Sequence, residues 1–456
     1  MNAKRTLRWG VVLFLLAALP GLMAVMAQGQ EPGVQTPVVI ERGESPADFP
    51  WTNTEVEPNN TPAQARSGKG INGGTLAGSD VDYWIISGWA DESYGERDRY
   101  PVLIDIEAQS IGSTLDATMC LYSDDGFELT CNDNTDTADP MLYYNLESEP
   151  ADQWNEGWNR SYYLAVRRVS GSGNYQLLVS SPLLISAAAA NLGTGYVDGI
   201  SFQAGDILAY SEWHYPSYDK WTLFFDISDL GVKANLTNLA AGWRNSDGLL
   251  VGFPANVTLP GVGRKVKPWE IVLFNPTTIG PRTEGSFSLW WDGRSIGLTT
   301  TAEKIDAVDW PEWTGNTRVA VSTGGTASVS SGPGMTLKLQ DEDVGLWRDD
   351  AVFPRWETLL NPSTIPGWPG EDVVAYSYVW AEGDDVWDDG LYRVVILGTA
   401  NCYAYYYDEP QPVTQKDIVE LGEVVNELEC VGIWHGPDHG WNYNIDAIDW
   451  PLGWEP

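Results

Sequence analysis

The chain has 456 residues, 43% of them hydrophobic, and its 63 acidic residues outnumber 26 basic ones to give a formal net charge of −37. This length and composition allow two or three folded domains with substantial cores and exclude a mainly disordered protein. The negative charge repels nucleic acid phosphates and anionic membrane surfaces, so we expect no nucleic acid partner.

The N-terminal segment, residues 1–27, has the pattern of a secretory signal peptide. The basic start MNAKRTLR precedes the apolar run WGVVLFLLAALPGLMAVM, and small residues lead up to Ala27. This order predicts export with cleavage after Ala27, and an uncleaved anchor is the alternative. No second run of about 20 apolar residues follows, so we expect no integral membrane segment after signal cleavage. The protein is predicted to be secreted, either extracellular or associated with the cell surface.

Residues 28–53 are rich in Pro, Gly and Glu without periodicity, which predicts a mobile lead-in. Residues 54–181 then show short strand-like runs separated by Gly, Asp, Asn and Ser. The runs are VDYWIISG, YPVLIDIEA, TMCLYS, FELTCN, SYYLAVRR and NYQLLVSS. Because no run has helical periodicity, this region is predicted to be an all-β sandwich.

Four cysteines occur, and an even number in an exported chain favours disulfides. Proximity in the sequence favours Cys120–Cys131 and Cys402–Cys430 over the other two connectivities. The first pair flanks LYSDDGFELT, in which Asp125-Gly126 predicts a two-residue hairpin turn. In that register the two cysteines face each other.

Four blocks of the first region resemble a known family. EVEPNNTPAQA, GTLAGSDVDYWII, STLDATMCLYSDDGFELTCNDN and YYLAVRRVSGSGNYQLLV occur in the order of the bacterial pre-peptidase C-terminal (PPC) domain. The resemblance implies a jelly-roll-like β-sandwich that serves exported proteins as a non-catalytic accessory or binding module. The region is also similar to the collagen-binding modules of secreted clostridial collagenases, some of which hold calcium.

The resemblance to the collagenase modules also implies a set of calcium ligands. The matching positions are Glu55, Glu57, Asn59, Asn60 and Asp82. The collagenase modules have an acid three residues before the last aspartate, where this chain has Ser79, and the neighbouring Asp80 is the sixth candidate ligand. Calcium takes six to eight oxygen ligands, and alternate residues of an extended segment point the same way. The alternative is that these residues are polar turn and edge residues.

Residues 183–456 are self-similar with a period of roughly 70 residues and four short strands per unit. One series of similar segments begins with an acid: DILAY (206–210), EIVLF (270–274), DVGLW (343–347) and DIVEL (417–421). A second matches WTLFFDISDLGV (221–232) to FSLWWDGRSIGL (287–298). A third contains NLTNLAAGW (235–243), KIDAVDW (304–310), DVVAYSYVW (372–380) and NIDAIDW (444–450). A fourth contains LLVGF (249–253), RVAVST (318–323) and RVVILG (393–398).

The last repeat ends one strand short, and a strand of the missing type, LLISA, stands at the front in residues 183–187. A closed ring of sheets needs this arrangement, and closure hides sheet edges that would otherwise aggregate. The second half is therefore predicted to be a small, four-bladed β-propeller, with an open sandwich array as the alternative. It also resembles repeats of uncharacterised exported bacterial proteins, and this resemblance implies no function.

Catalytic motifs are sparse. The chain has three histidines and lacks both G-x-S-x-G and H-E-x-x-H. The segment HGPDHG (435–440) offers two imidazoles and a carboxylate to a metal. Asp306, Asp309, Asp446 and Asp449 occupy equivalent places in two repeats, where they line an acidic axis or form hydrogen bonds within the fold. Tryptophans at repeat positions predict packing between blades, whereas those in loops, such as Trp434 and Trp441, are either buried or available to a polymer.

Two functions remain open from the sequence. The first is an exported non-catalytic binding or surface-associated protein, in which a calcium-stabilised sandwich accompanies a platform for an extracellular polymer, either a glycan or a matrix protein. The second is a secreted hydrolase that acts on a polysaccharide through two carboxylates. A mainly structural envelope protein is a third alternative.

Overall fold

The computed structural model describes residues 53–68, 70–87, 99–133, 139–147, 161–187, 194–214, 217–241, 248–309, 318–341, 343–348, 355–361, 373–380, 391–397, 403–406, 409–412, 414, 416–424 and 427–449. Within these ranges the fold is all-β, and the helical turns are short 3-10 segments. No described helix is long and apolar enough to cross a membrane. The predicted signal peptide, nearly all of the lead-in, and Cys402 lie outside these ranges.

The first half contains ten strands in two five-stranded sheets. The strands are β1 (Asn53–Thr54), β2 (Arg66–Ser67), β3 (Gly70–Leu76), β4 (Val81–Ser87), β5 (Arg99–Glu107), β6 (Asp116–Tyr122), β7 (Glu128–Asn132), β8 (Met141–Glu147), β9 (Ser161–Ser170) and β10 (Gly173–Ser180). One sheet has the order β1-β3-β10-β5-β8 and the other the order β2-β4-β9-β6-β7. A 3-10 turn, Pro62–Gln64, precedes β2.

The two sheets pack face to face because alternate residues of their strands are apolar. Ile104 and Leu177 of one sheet share a fully buried core with Trp84, Met119 and Leu164 of the other. All six strand-like runs read from the sequence form strands. Sequence reasoning missed β1, β2, β3 and β8, and Asn53, which was assigned to the lead-in, begins β1.

The hairpin of β6 and β7 carries the predicted Cys120–Cys131 disulfide, and the two cysteines are directly paired across the strands. The predicted two-residue turn is wrong. Ser123 N–H donates to the Phe127 carbonyl, so three residues form the loop, and Gly126 adopts a left-handed φ of 81°. A register shift between Leu121 and Tyr122 absorbs the extra residue and keeps the cysteines in register.

The second half contains strands β11 to β34. The strands are β11 (Leu183–Ala187), β12 (Gly195–Val197), β13 (Ile200–Phe202), β14 (Ile207–His214), β15 (Ser217–Phe225), β16 (Asn238–Ala241), β17 (Leu249–Gly252), β18 (Val257–Thr258), β19 (Lys265–Val266), β20 (Glu270–Thr278), β21 (Glu284–Asp292), β22 (Ile305–Asp309), β23 (Arg318–Thr323), β24 (Ala327–Gly332), β25 (Met335–Leu339), β26 (Val344–Arg348), β27 (Arg355–Leu360), β28 (Val373–Trp380), β29 (Leu391–Leu397), β30 (Tyr403–Tyr406), β31 (Glu409–Pro412), β32 (Asp417–Val424), β33 (Glu427–His435) and β34 (Ile445–Asp449).

Each repeat forms one larger antiparallel sheet. The orders are β34-β11-β14-β15, β16-β17-β20-β21 and β22-β23-β26-β27, while the fourth sheet, β28-β29-β32-β33, is extended by β30 and β31. The hairpins β12-β13, β18-β19 and β24-β25 are separate two-stranded sheets. The four series read from the sequence correspond to successive strand positions within these sheets, so the repeat identified in the sequence is a repeat of whole sheets.

The first and last strands of the second half pair with each other. Ile185 lies opposite Ile448 and Ser186 opposite Ala447 in the antiparallel pair of β11 and β34. The C-terminal strand thus completes the sheet that the N-terminal strand begins. The edge strands β16, β22, β28 and β34 contact one another in turn, β34 contacts β16 again, and β22 also contacts β34.

One buried acid recurs at the start of the third strand of each sheet: Asp206, Glu270, Asp343 and Asp417. Each carboxylate accepts a hydrogen bond of 2.7–2.9 Å from the backbone N–H three residues earlier. These are the acids that begin the DILAY, EIVLF, DVGLW and DIVEL segments. Each carboxylate stabilises the turn before its strand. The buried carboxylate gains a hydrogen-bond donor, and the backbone N–H of the turn gains an acceptor.

A 3-10 turn follows the outer strand of three sheets, namely Ile227–Leu230, Gly293–Ile296 and Gly436–His439. Two of these turns accept an indole hydrogen bond from the next sheet. Trp221 Nε1 donates to the His439 carbonyl at 2.9 Å, and Trp356 Nε1 donates to the Ile296 carbonyl at 3.1 Å. The two accepting residues hold the same position in their turns, which confirms the predicted packing between sheets for Trp221 and Trp356.

Candidate metal centre

The candidate ligands lie where the entry segment crosses the end of β4. β1 pairs with β3, and the Glu55 N–H donates to the Gly73 carbonyl of β3 at 2.9 Å. Further along, the Tyr83 N–H of β4 donates to the Asn59 carbonyl at 3.0 Å. The stretch NTEVEPNN is therefore fixed at both ends to the sandwich, and its acids face Asp82.

The structure brings Glu55, Glu57 and Asp82 into one cluster, with one carboxylate oxygen of each within 4.8 Å of the others. Asp82 and Asn59 have no exposed surface. One terminal atom of the Asn59 amide lies 3.0 Å from Asp82 Oδ1 and 3.3 Å from Glu57 Oε2. If this atom is the amide nitrogen, Asn59 donates hydrogen bonds to both carboxylates. If it is the amide oxygen, one oxygen of Asn59 and one of each of the three acids converge.

Asn60 and Asp80, the other two candidate ligands, are placed differently. Asn60 Oδ1 accepts a hydrogen bond of 3.1 Å from the Val81 N–H. Asp80 Oδ1 accepts from the same N–H at 3.1 Å, and Asp80 is not among the three clustered acids of the described residues. Its negative charge nevertheless raises the pKa of Asp82. These two side chains fix the start of β4.

Burial raises the pKa values of two acids of the cluster, Glu55 and Asp82. Desolvation, with the nearby Asp82 carboxyl, raises the pKa of Glu55 to about 9. Desolvation also raises the pKa of Asp82 to about 6, although hydrogen bonds from Glu55 and Tyr175 oppose the shift. The close carboxyls favour a proton shared between Glu55 and Asp82 when no cation is bound, because two buried like charges repel each other.

Tyr175 and Trp84 form a hydrogen-bonded chain that fixes the Asp82 carboxylate inside the sandwich core. Tyr175 Oη donates to Asp82 Oδ2 at 2.6 Å, and Trp84 Nε1 donates to Tyr175 Oη at 2.8 Å. All three side chains are completely buried. Gly74 makes room for the tyrosine, since a β-carbon at that position would overlap the Tyr175 ring. Sequence reasoning missed these two positioning residues, because Trp84 lies 91 positions from Tyr175 and Tyr175 lies 93 positions from Asp82.

The chemistry of the donor set fits a calcium ion. Oε2 of Glu55 is buried and has no donor, whereas its Oε1 accepts from the Thr75 N–H at 2.9 Å. A shared proton or a cation would satisfy Oε2. Carboxylate and amide oxygens are the ligands that calcium prefers, and three carboxylates with one amide leave coordination positions for water. Glu55, Glu57, Asp82 and Asn59 are therefore the residues that would hold the ion.

The histidine segment HGPDHG is the 3-10 turn of the fourth sheet. His435 Nδ1 lies 2.7 Å from the buried Asp417 Oδ1, and His439 Nδ1 lies 2.7 Å from Tyr210 Oη. The His439 ring stacks on Trp434 at 5.3 Å between centroids, and burial lowers its pKa. Among the described residues these groups are not gathered into a metal-binding cluster. The turn belongs to the packing between sheets.

The remaining candidates from the sequence are the loop tryptophans, the repeated aspartates and the second cysteine pair. Trp434 and Trp441 are 1% and 0% exposed, which confirms burial, the first of the two alternatives for these rings, and rules out a contact with a polymer. Asp306 and Asp309 are buried on β22, and Asp446 and Asp449 belong to β34. These edge strands contact each other. The side chain of Cys430 and all of Cys402 lie outside the described part of the chain, so the predicted second disulfide stays a prediction.

No family model matches the chain, and no curated relative matches it. Among solved structures, the chain is similar to the pre-peptidase C-terminal domain of a collagenase from Bacillus anthracis. That similarity has 16% sequence identity and a TM-score of 0.18, and it covers 29% of this chain and 97% of that one.

Proposed function

We propose that this chain is an exported, non-catalytic binding protein in which a PPC-like, calcium-stabilised β-sandwich is joined to a closed four-bladed β-propeller. The observation that carries the proposal is the convergence of Glu55, Glu57 and Asp82, with the buried Asn59 amide against the last two. A folded protein does not gather three acids around an acceptor-rich centre without a compensating proton or cation.

The propeller is supported by the strand pairing of the second half. β34 completes the sheet of β11, and the four edge strands contact one another in turn. The recurring turn acids and the Trp221 and Trp356 hydrogen bonds repeat from sheet to sheet. A cysteine pair at Ser186 and Ala447, which lie opposite each other, tests the closure. It should form a disulfide in the full chain, whereas a pair at Ser186 and Ser322 should not.

The binding surface that we propose is the outer face of the sheet β2-β4-β9-β6-β7. Tyr83, Tyr122 and Tyr163 are half-buried there, and Tyr122 lies opposite Tyr163. Arg167 donates to Tyr122 Oη at 3.0 Å, and its guanidinium lies 5.6 Å from the centre of the Tyr122 ring. Rings that are held in place stack on sugar faces or peptide side chains at low entropic cost. An extracellular glycan or matrix protein is the corresponding ligand.

Two experiments test this function. Calcium should raise the melting temperature of the purified mature chain above its value in EDTA, and magnesium should do so less. A glycan and matrix-protein array, probed with and without EDTA, should then identify a ligand that is lost on Tyr122→Ala/Tyr163→Ala substitution. An array that is blank in all conditions would contradict the binding function. A melting temperature that calcium leaves unchanged would contradict the calcium site alone.

The secreted polysaccharide hydrolase is the weaker alternative. The recurring acids Asp206, Glu270, Asp343 and Asp417 close equivalent turns, and a catalytic pair is expected to be unique. A polysaccharide-degradation assay in which one Asp or Glu substitution abolishes turnover would favour the hydrolase.

A further inference from the structure

The two halves of the chain are joined closely. β10 ends at Ser180 and β11 begins at Leu183, so only Ser181 and Pro182 separate the sandwich from the sheet that the last strand completes. The hydroxyls of Ser180 and Ser211 lie 2.7 Å apart across the junction. A link of two residues gives the sandwich little freedom to move as an independent module.

A lysine that is largely buried spans this junction. Lys220 of β15 places its Nζ 2.5 Å from Asp105 Oδ2 of β5 and also forms an ion pair with Glu107 of the same strand. The three side chains are exposed by 14%, 12% and 17%. Burial raises the pKa of Asp105 to about 6 against the attraction of Lys220, while both carboxylates raise the pKa of Lys220. Removing one member would leave buried charge without a counterion.

Apolar side chains also join the two halves of the chain. Leu103, Met141 and Tyr143 of the sandwich belong to the same core cluster as Leu184 and Phe224 of the second half. The Tyr143 and Phe224 rings meet edge to face, with centroids 4.9 Å apart and an interplanar angle of 82°. Shared core packing of this kind makes separate unfolding of either side costly, because it would expose the apolar surface of both.

A continuous ladder connects the candidate calcium site to the junction. Glu55 is hydrogen-bonded to β3, β3 pairs with β10, and β10 pairs with the β5 strand that carries Asp105. We propose that the sandwich is a built-in clamp on the closing sheet β34-β11-β14-β15, so that both unfold as one cooperative unit through Lys220. A consequence, which rests on the calcium site proposed above, is that calcium bound in the sandwich also stabilises the closing sheet.

Hydrogen exchange of the full chain in increasing urea, with EDTA present, tests the clamp. Peptides from β5 and β9 should give the same urea midpoint as peptides from β11, β14 and β34, within about 10–15%. Lys220→Met should separate the two midpoints and speed exchange on both sides of the junction by about 100-fold or more. The matched control is Lys233→Met, because Lys233 is exposed in the same repeat. It should leave the common midpoint unchanged.

A second variant covers the case in which Lys220→Met does not fold. In Lys220→Met/Asp105→Asn/Glu107→Gln no unpaired charge remains buried, and the midpoints should again separate, with less loss of stability. Unequal midpoints in the unmodified chain would overturn the clamp. A common midpoint that persists in both variants would overturn it as well, because Lys220 would then not couple the halves.

The calcium arm of the same experiment separates this inference from the proposed function. If calcium raises the midpoints of the sandwich and the closing sheet together, both proposals are supported. A rise confined to the sandwich contradicts the clamp and leaves the calcium site intact. No rise anywhere contradicts the calcium site, and the EDTA series still decides the clamp.

Discussion

Tyr175 donates a 2.6 Å hydrogen bond to Asp82 Oδ2, and the two residues lie 93 positions apart in the chain. This bond orients the deepest carboxylate of the candidate metal centre toward Glu55, Glu57 and Asn59. Trp84 in turn donates a hydrogen bond to Tyr175, so Trp84, Tyr175 and Asp82 form a chain of completely buried, hydrogen-bonded side chains. The arrangement of the site therefore depends on the sandwich core as well as on the entry segment.

Tyr175→Phe should weaken calcium binding. The substitution removes a donor to an ionised carboxylate, which contributes about 1.5–3 kcal/mol and corresponds to a loss of about tenfold or more in affinity. Titration calorimetry on the full chain measures this. Tyr443→Phe removes a hydroxyl that bonds to the Tyr196 backbone in the second half and should bind calcium normally. Equal affinities in the two variants would show that Tyr175 does not position Asp82.

Asp82→Asn should have opposite effects with and without calcium. In EDTA the melting temperature should rise by about 2–4 °C, because a desolvated acid is replaced by a neutral amide. In calcium the stabilisation seen in the unmodified chain should disappear. Asp80→Asn is the matched control, since Asp80 lies two residues away and outside the cluster, and it should retain the calcium response. If both variants lose the calcium response, Asp80 is also a calcium ligand.

The stability of the metal-free protein should decrease as the pH rises. The folded-state pKa values of Asp82 and Glu55, about 6 and about 9, lie above their ordinary values of 3.8 and 4.5. The folded state thus retains protons that the unfolded chain releases. This contribution is complete below about pH 4 and is lost as the pH passes about 6 and then about 9. Urea unfolding in EDTA at pH 5, 7 and 9 measures the decrease, which Asp82→Asn should reduce.

Calcium affinity should change in the opposite direction with pH. The ion binds the deprotonated carboxylates and displaces their shared proton, so the affinity should increase between about pH 6 and pH 9. Calorimetry in two buffers of different ionisation enthalpy would detect the released proton. A binding enthalpy that is independent of the buffer would contradict the shared proton.

Trp356→Phe should lower the free energy of unfolding of the second half by about 1–2 kcal/mol. The ring still packs, but the Ile296 carbonyl loses its donor at the contact between two sheets. Trp221→Phe should have a similar effect at the closing sheet, because its bond to the His439 carbonyl is equivalent. Urea unfolding followed by circular dichroism gives both values. A negligible effect at both positions would show that these hydrogen bonds do not stabilise the packing of the sheets.

Replacing Cys120 and Cys131 with alanine should destabilise the sandwich by about 2–3 kcal/mol, because the disulfide closes a loop with a sequence separation of 11. Chemical unfolding of the full chain in non-reducing buffer measures the difference. Reducing agent should lower the stability of the unmodified chain similarly and leave the double variant unchanged.

Local patterns predicted most strands because alternation and turn residues act over a few positions. The six strand-like runs of the first half and the four repeat series of the second half all correspond to described strands. Sequence reasoning missed β3, because its sequence GINGGTL is rich in glycine and asparagine and shows no alternation of apolar and polar residues. Gly74 is explained by the Tyr175 ring that packs over it, which no local pattern reveals. The two-residue turn at Asp125-Gly126 was wrong because a bulge on the neighbouring strand shifts the loop.

Spacing along the chain was enough to predict the all-β class, the repeat of the second half, the Cys120–Cys131 pair and the acids of the entry segment. Tertiary structure decided which acids meet: Glu55, Glu57 and Asp82 converge, whereas Asp80 does not. It also decided that Tyr175 supports the site and that Lys220 lies against Asp105. The relationships of Tyr175 and Lys220 join residues about 90 to 115 positions apart. Only the packing of whole sheets brings such residues within hydrogen-bonding distance.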